Sequence, residues 1–199
     1  MADAGRVIAG SARGVRLAAP GPGTRPLTDR VKQTLFGILE PDLVGAAVLD
    51  LFAGSGAGGI EALSRGAASA VFVDKDAGAA RAISENLRRT KLEAGGRVVR
   101  RDAVAWLVEA AREAAGPGGP AFDLVLVDPP YADTASLARV LEQVGAVVRE
   151  GGTVVSKHFW RDAPPGRIGL LASVRERRFG ETALTFYRRA AGPQEAGET

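Results

Sequence analysis

The chain contains no cysteine and only one histidine, His158, in 199 residues. Without cysteine there is no disulfide, no thiolate nucleophile and no Cys-ligated metal, which fits a reducing, cytoplasmic setting. A single histidine excludes a multi-His centre, so no metal is expected. No apolar run reaches the length of about 18 residues that a membrane span needs. The opening residues, Met1-Ala-Asp-Ala-Gly-Arg6, lack the apolar core of a signal peptide. What remains for chemistry is carboxylates, hydroxyls, backbone groups and a cofactor.

Hydrophobic and charged contents of 46% and 25% are those of an ordinary globular protein, and 199 residues suffice for one α/β domain with a short appendage. The net charge of +3 is unevenly spread. Residues 1–40 carry six Arg/Lys against three Asp/Glu, residues 41–156 twelve against fifteen, and residues 157–189 eight against three. Basic ends around a mildly acidic middle suit a cofactor domain whose flanks meet a polyanion.

Residues 6–19 read as a hairpin turning through Gly10-Ser-Ala-Arg-Gly14. Thr28 is a candidate N-cap for a following helix, with Val31, Leu35, Ile38 and Leu39 on one face. From residue 46 short apolar strands (46–51, 70–73, 97–100, 122–127 and 152–156) alternate with helical stretches near 57–65, 77–91, 103–115 and 134–147. Such alternation predicts a parallel sheet covered on both faces. The end differs: runs at 170–177 and 182–188, joined by Phe179-Gly-Glu181, predict an antiparallel hairpin. The expected division is an N-terminal hairpin and helix at 1–40, a cofactor domain at 41–190 and a disordered tail at 191–199.

Two motifs carry chemistry. In Val48-Leu-Asp-Leu-Phe-Ala-Gly-Ser-Gly-Ala-Gly-Gly59 a strand enters a Gly-rich turn that opens a helix, and Gly54, Gly56 and Gly59 have G-x-G-x-x-G spacing. Asp74 lies twenty residues beyond Gly54, where an acid can accept ribose hydroxyls. Asp50, just before the glycines, would repel a pyrophosphate but can hold a cationic amino group. Asp102 ends the third strand, within reach of an adenine amine. The pattern predicts an adenosine-containing cofactor, S-adenosylmethionine rather than a dinucleotide, held by Asp50, Phe52, Ala53, Gly54, Ser55, Gly56, Asp74, Lys75, Asp102 and Ala103. Each acid alone reads equally well as a helix cap.

The second motif is Asp128-Pro129-Pro130-Tyr131, directly after the apolar run Phe122-Asp-Leu-Val-Leu-Val127. Proline cannot donate a backbone hydrogen bond, and its fixed φ gives the strand a stiff exit. That exit aims two acceptors, the Asp128 carboxylate and the Pro129 carbonyl, beside an aromatic face. A planar NH2 group can be gripped there while its ring stacks on Tyr131. The bland alternative is a strand-ending turn with a buried Tyr.

Together these motifs resemble the class I methyltransferases, and within them the bacterial 16S ribosomal RNA guanine-N2 methyltransferases of the RsmD type. The resemblance runs through Arg6-Val-Ile-Ala-Gly10, Thr24-Arg-Pro-Leu-Thr-Asp-Arg-Val-Lys-Gln-Thr-Leu-Phe36, the Gly-rich turn, Glu61-Ala-Leu-Ser-Arg-Gly-Ala67, Asp128-Pro-Pro-Tyr131 and Phe179-Gly-Glu-Thr-Ala-Leu184. It implies a Rossmann-like seven-stranded, mostly parallel sheet with an antiparallel last strand and helices on both faces. A β-hairpin and helix precede that sheet and help hold RNA. It implies as substrate the exocyclic amine of one guanine of 16S ribosomal RNA, in a partly assembled small subunit, met by a monomer. On the RNA surface Arg13, Arg16, Arg25, Arg30 and Lys32 are expected. One departure stands out: the fifth strand ends in Ser156-Lys157-His158 where the resemblance implies a carboxylate. Rival readings are an adenine-N6 or protein-amide methyltransferase, an NAD-dependent oxidoreductase, and a non-catalytic RNA chaperone. His158 and Trp106 are expected to be structural.

Overall fold

A computed structural model describes residues 3–21, 28–116, 119 and 121–190. The core is a sheet of β3 (Ala47–Leu51), β4 (Ser69–Asp74), β5 (Gly96–Arg100), β6 (Phe122–Val127), β7 (Val148–Phe159), β8 (Arg167–Ile168), β9 (Leu171–Phe179) and β10 (Thr182–Arg189). Its order is β5-β4-β3-β6-β7-β10-β9-β8. Strands β3 to β7 run parallel, and β10 inserts antiparallel between β7 and β9. This is the expected seven-stranded sheet, widened by the two-residue β8 at its edge.

Near-continuous apolar strands such as Phe122–Val127 demand cover on both faces, and the helices supply it. One core layer packs Leu35 and Phe36 of α1 (Asp29–Leu39), Ile60 of α2 (Ala57–Ser64) and Ile83 of α3 (Ala77–Thr90). The other packs Leu107 of α4 (Ala103–Ala114) with Val140 and Leu141 of α5 (Thr134–Val144). Side-chain caps start four of these helices: Thr28 for α1, Asp76 for α3, Asp102 for α4 and Asp133 for α5.

The N-terminal hairpin departs from the expectation. Its strands are β1 (Asp3–Arg6) and β2 (Arg16–Ala18), paired from Asp3↔Ala18 to Arg6↔Arg16, so β1 begins earlier and stops at Arg6. The reason is Glu61. This carboxylate, fully buried in α2, accepts from Ile8 N at 2.7 Å and Ala9 N at 3.0 Å, drawing the chain off the ladder. Arg65 closes the network at 2.8 Å. Ser64 Oγ donates to Ala9 O, and Gly10 lies so close to Ser64 that a Cβ there would come within 1.8 Å of its carbonyl. On the other arm Asn86 brackets Ala18, accepting from its N and donating to its O, and also donates to Ser55 O in the Gly-rich turn. The extension is thus bolted to the Gly-rich turn.

β7 also exceeds its expected length because β10 pairs with it from Thr153 to Phe159. The expected tail at 191–199 lies outside the described residues.

Candidate active site

The sheet order reverses between β3 and β6, where α/β folds leave a crevice at their strand ends. Here the crevice is a cleft of about 690 Å³. Of the ten expected cofactor residues, all but Gly56 line it; Gly56 lies beneath, where a Cβ would press on Ile83 and Ile60. Gly54 and Gly56 have φ of +55° and +77°, a region that side chains disfavour. Gly59 serves packing instead: a Cβ would meet the Phe72 ring at 2.4 Å. Phe52, at φ +59°, is a non-glycine in the left-handed region at the mouth of the turn, a strain characteristic of ligand sites.

The acids divide by role. Asp50 is 4% exposed, and its Oδ2 accepts from Gly59 N at 2.8 Å. Burial, reinforced by the charges of Asp128 and Asp74, pushes its carboxyl up to about 8 against the opposing Gly59 bond. Asp74 accepts from Gly54 N and Asp76 N, both at 2.9 Å, and so shapes the Gly-rich turn as well as facing the cleft. Asp102 caps α4 through Oδ1, which accepts from Val104 N and Ala105 N. The cap reading is therefore true of Asp102, and its place in the cleft wall stands beside it.

Asp128-Pro129-Pro130-Tyr131 leaves β6 as a stiff turn. Asp128 N donates to Leu51 O at 3.3 Å and Asp133 N to Pro130 O at 2.8 Å. All four motif residues line the cleft. No described residue donates to the Pro129 carbonyl. Tyr131 is held by its hydroxyl, 2.5 Å from Thr182 Oγ1, with its ring 6.5 Å from that of Phe159.

Lys157 belongs to neither motif, yet it stands at the centre of the site. Its ammonium lies 2.6 Å from Asp128 Oδ1 and 5.2 Å from the centre of the Tyr131 ring. Desolvation pushes the Asp128 carboxyl above its ordinary range, while Lys157 draws it back. Its signal in the sequence is the missing carboxylate: β7 alternates sides, so Lys157 faces the cleft while Ser156 and His158 are buried. His158 bridges the Phe159 carbonyl and Thr185, both at 2.8 Å, as a structural histidine. Also unforeseen, Ala4, Pro20, Gly21 and Leu35 make the hairpin and α1 one wall of the cleft.

The expected RNA residues do not all reach a surface. Arg13, Arg16 and Arg30 are exposed, Arg16 pairing with Asp3 at 2.7 Å. Arg25 lies outside the described residues. Lys32 is a correction: it is fully buried, its Nζ donates to Arg6 O and sits 3.7 Å from Asp29, so it holds α1 to the hairpin and cannot meet RNA.

Comparisons follow the same lines as the geometry. Residues 5–188 match the family model described as conserved hypothetical protein 95. "Ribosomal RNA small subunit methyltransferase D" of Escherichia coli K12 is 37% identical over 192 residues, covering 94% of this chain and 90% of its own. A solved Escherichia coli structure, yhhF, named as a methyltransferase, superposes with a TM-score of 0.80 at 32% identity over 94% and 98% of the two chains. A structure from a Thermus species reaches 0.75 at 37% identity over 91% and 97%. The fold is that of the class I methyltransferases.

Proposed function

We propose that this chain, which belongs to the conserved hypothetical protein 95 family, methylates the N2 amine of a guanine in small-subunit (16S) ribosomal RNA, with S-adenosylmethionine as donor. The observation that carries the reading is the Asp128 carboxylate, at the end of a central strand, opening into the same cleft as the Gly-rich turn with Tyr131 beside it. The name of the Escherichia coli relative supplies the class of RNA.

The residues fit the cofactor. Six carboxylates and two lysines line the cleft. That balance disfavours the pyrophosphate of a dinucleotide and favours a cation. Asp50, buried with a raised carboxyl and one backbone donor, gains a partner when an ammonium arrives. Asp74 would accept the ribose hydroxyls and Asp102 with Ala103 would meet the adenine, with Phe52 to Ser55 shaping the turn beside them. Bound there, S-adenosylmethionine supplies an electrophilic methyl group.

The chain's residues then have a positioning task. The guanine N2 lone pair is delocalised into its ring. Accepting the amine's two hydrogens at Asp128 and the Pro129 carbonyl draws the nitrogen toward tetrahedral geometry and frees that pair. Tyr131, fixed by Thr182, offers its ring for stacking, worth about 1–3 kcal/mol. Alignment of this kind supplies roughly 7–11 kcal/mol of a bimolecular barrier. The methylated nitrogen is acidic, so Asp128 or water takes its proton. The target base must be unpaired or flipped to enter the recess. The protein acts as a single chain in the cytoplasm, on RNA in a partly assembled subunit.

The test is mass mapping of methylated nucleotides in small-subunit RNA from cells lacking the gene, with purified wild type and Asp128→Ala added back. Wild type should restore one N2-methylguanine, and Asp128→Ala should be slowed at least about 10²-fold. A map that lacks N6-methyladenine instead, or calorimetry showing binding of NAD but not S-adenosylmethionine, would overturn the reading.

A further inference from the structure

A second cluster lies outward from the Asp-Pro-Pro-Tyr motif. From Tyr131 the ring of Phe159 is 6.5 Å away, and from Phe159 the ring of Trp160 is 6.3 Å away. Trp160, just past β7, is anchored by its backbone N to Glu181 O at 3.0 Å. Two guanidiniums flank its ring, Arg178 at 3.6 Å and Arg161 at 4.9 Å from the centre. Arg178 Nε donates to Gly180 O at 2.9 Å, which fixes the head on the ring. A guanidinium stacked on an aromatic keeps its edge donors for a phosphate, and loses little freedom on binding one.

The charge around it is unanswered. Arg6, Arg16, Arg65, Arg88, Arg89, Arg101, Arg149 and Arg188 each have a carboxylate partner. Among the described residues, Arg161, Arg175, Arg177 and Arg178 have none, a state shared by nine arginines elsewhere, although Glu176, Glu181 and Asp162 share this end of the sheet. Beyond Ser173, β9 has no outer neighbour, and Ser173–Arg178 is exposed on both faces. Arginines on an open edge discourage strand pairing, which accounts for Arg175 and Arg177. It does not account for a tryptophan with two arginines close over its ring at the end nearest Tyr131.

We propose that Trp160, Arg161 and Arg178 form a platform for single-stranded RNA flanking the target nucleotide, the guanidiniums gripping phosphates and stacking on a neighbouring base. This rests on the reading above that the substrate is RNA. Aromatic and cationic groups interleaved on one surface are how sequence-tolerant single-strand sites are built. The position supplies the reason: a base flipped into the cleft leaves its neighbours unstacked, and the platform receives them where they emerge.

The test measures binding of a fluorescein-labelled 15-nucleotide oligo(U) and of protein-free 16S RNA, across a salt series, alongside methyl transfer to that RNA and to small-subunit particles from cells lacking the gene. Arg161→Ala/Arg178→Ala should weaken both bindings about tenfold and reduce the log–log salt slope by about 1.4, at roughly 0.7 for each single-strand phosphate released. Melting temperature and S-adenosylmethionine affinity should hold. Arg161→Lys/Arg178→Lys, which keeps the charges, should preserve the slope and lose about threefold in affinity, separating a stacked platform from diffuse charge. Unchanged affinity and slope in the alanine variant, with wild type methylating RNA normally, would overturn the platform. So would a defect confined to assembled particles, which assigns the surface to a protein. If wild type transfers no methyl to RNA either free or in those particles while the alanine variant still loses binding, the proposed reaction fails and the platform stands.

Discussion

Where the N-terminal hairpin meets α2, buried polar groups are saturated. Glu61 takes two backbone donors and Arg65, and Asn86 of α3 serves Ala18 twice and Ser55 once. Across the Gly-rich turn, at the ends of β3 and β6, Asp50 is as deeply buried and Asp128 partly buried, but their satisfaction differs. Asp50 has one backbone donor, the Pro129 carbonyl has no described donor, and Asp128 has a lysine that also covers Tyr131. Desolvation is a cost in both places. The first region recovers that cost internally, which makes it a joint. The second leaves it outstanding, which makes it a site that a cationic donor and an amine can satisfy.

Breaking the joint should give the largest effect. Glu61→Ala orphans two buried N–H groups and leaves Arg65 unpaired in a poorly solvated place, a loss of about 4 kcal/mol in denaturant unfolding. Glu61→Gln, which keeps one acceptor, should lose about half as much. A cost below about 1 kcal/mol for the alanine variant would mean the hairpin is not held by this network.

The site is sharpened by pH. The folded Asp50 carboxyl stands at about 8 against an ordinary 3.8. A raised acid binds its proton more tightly in the folded state, so its contribution to stability is present at low pH. It is lost as pH climbs from about 4 to about 8, with a slope of up to about 1.4 kcal/mol per unit. Asp50→Asn should lack that slope, so the difference between the wild-type and variant stability curves should carry it. Binding of S-adenosylmethionine to wild type near pH 7 should release a proton, seen as buffer-dependent heat in calorimetry. Buffer-independent heat would show that Asp50 is already ionised.

Lys157 is the third lever. It lowers the Asp128 carboxyl, so Lys157→Met should raise it and move the acid limb of kcat/KM to higher pH. We expect about tenfold less activity at pH 6.5 and near wild-type activity at pH 9. A uniform loss at every pH would assign Lys157 to substrate contact rather than to the charge state of Asp128.

What the sequence makes legible follows from this contrast. Apolar runs and glycine spacing announce strands and turns because their causes are local, so β3, β6 and the cofactor turn are readable at nearly their observed bounds. Glu61 and Asn86 do their work across more than fifty residues of chain, and nothing local marks them. Lys32 misleads because a lysine on a helix is ordinarily solvated; only the Arg6 carbonyl brought over it explains its burial. Lys157 is visible as an anomaly at a strand end, but its partner Asp128 lies on a neighbouring strand, and only the sheet joins them.

The smallest expected effect concerns the exposed face of the joint. Arg13 sits on the hairpin turn and Arg30 in the first turn of α1, both solvent-facing and neither in an ion pair with a described residue. Neither contributes to the joint, so Arg13→Ala/Arg30→Ala should leave the melting temperature and S-adenosylmethionine affinity unchanged. If the hairpin is an RNA grip as well as a wall of the cleft, 16S RNA affinity should fall about threefold to fivefold. The salt slope should then drop by about 1.4 to 1.8, from roughly 0.7 to 0.9 for each phosphate that is no longer gripped. An unaltered slope would confine the hairpin to its structural role, and the RNA would be held from the opposite end of the sheet.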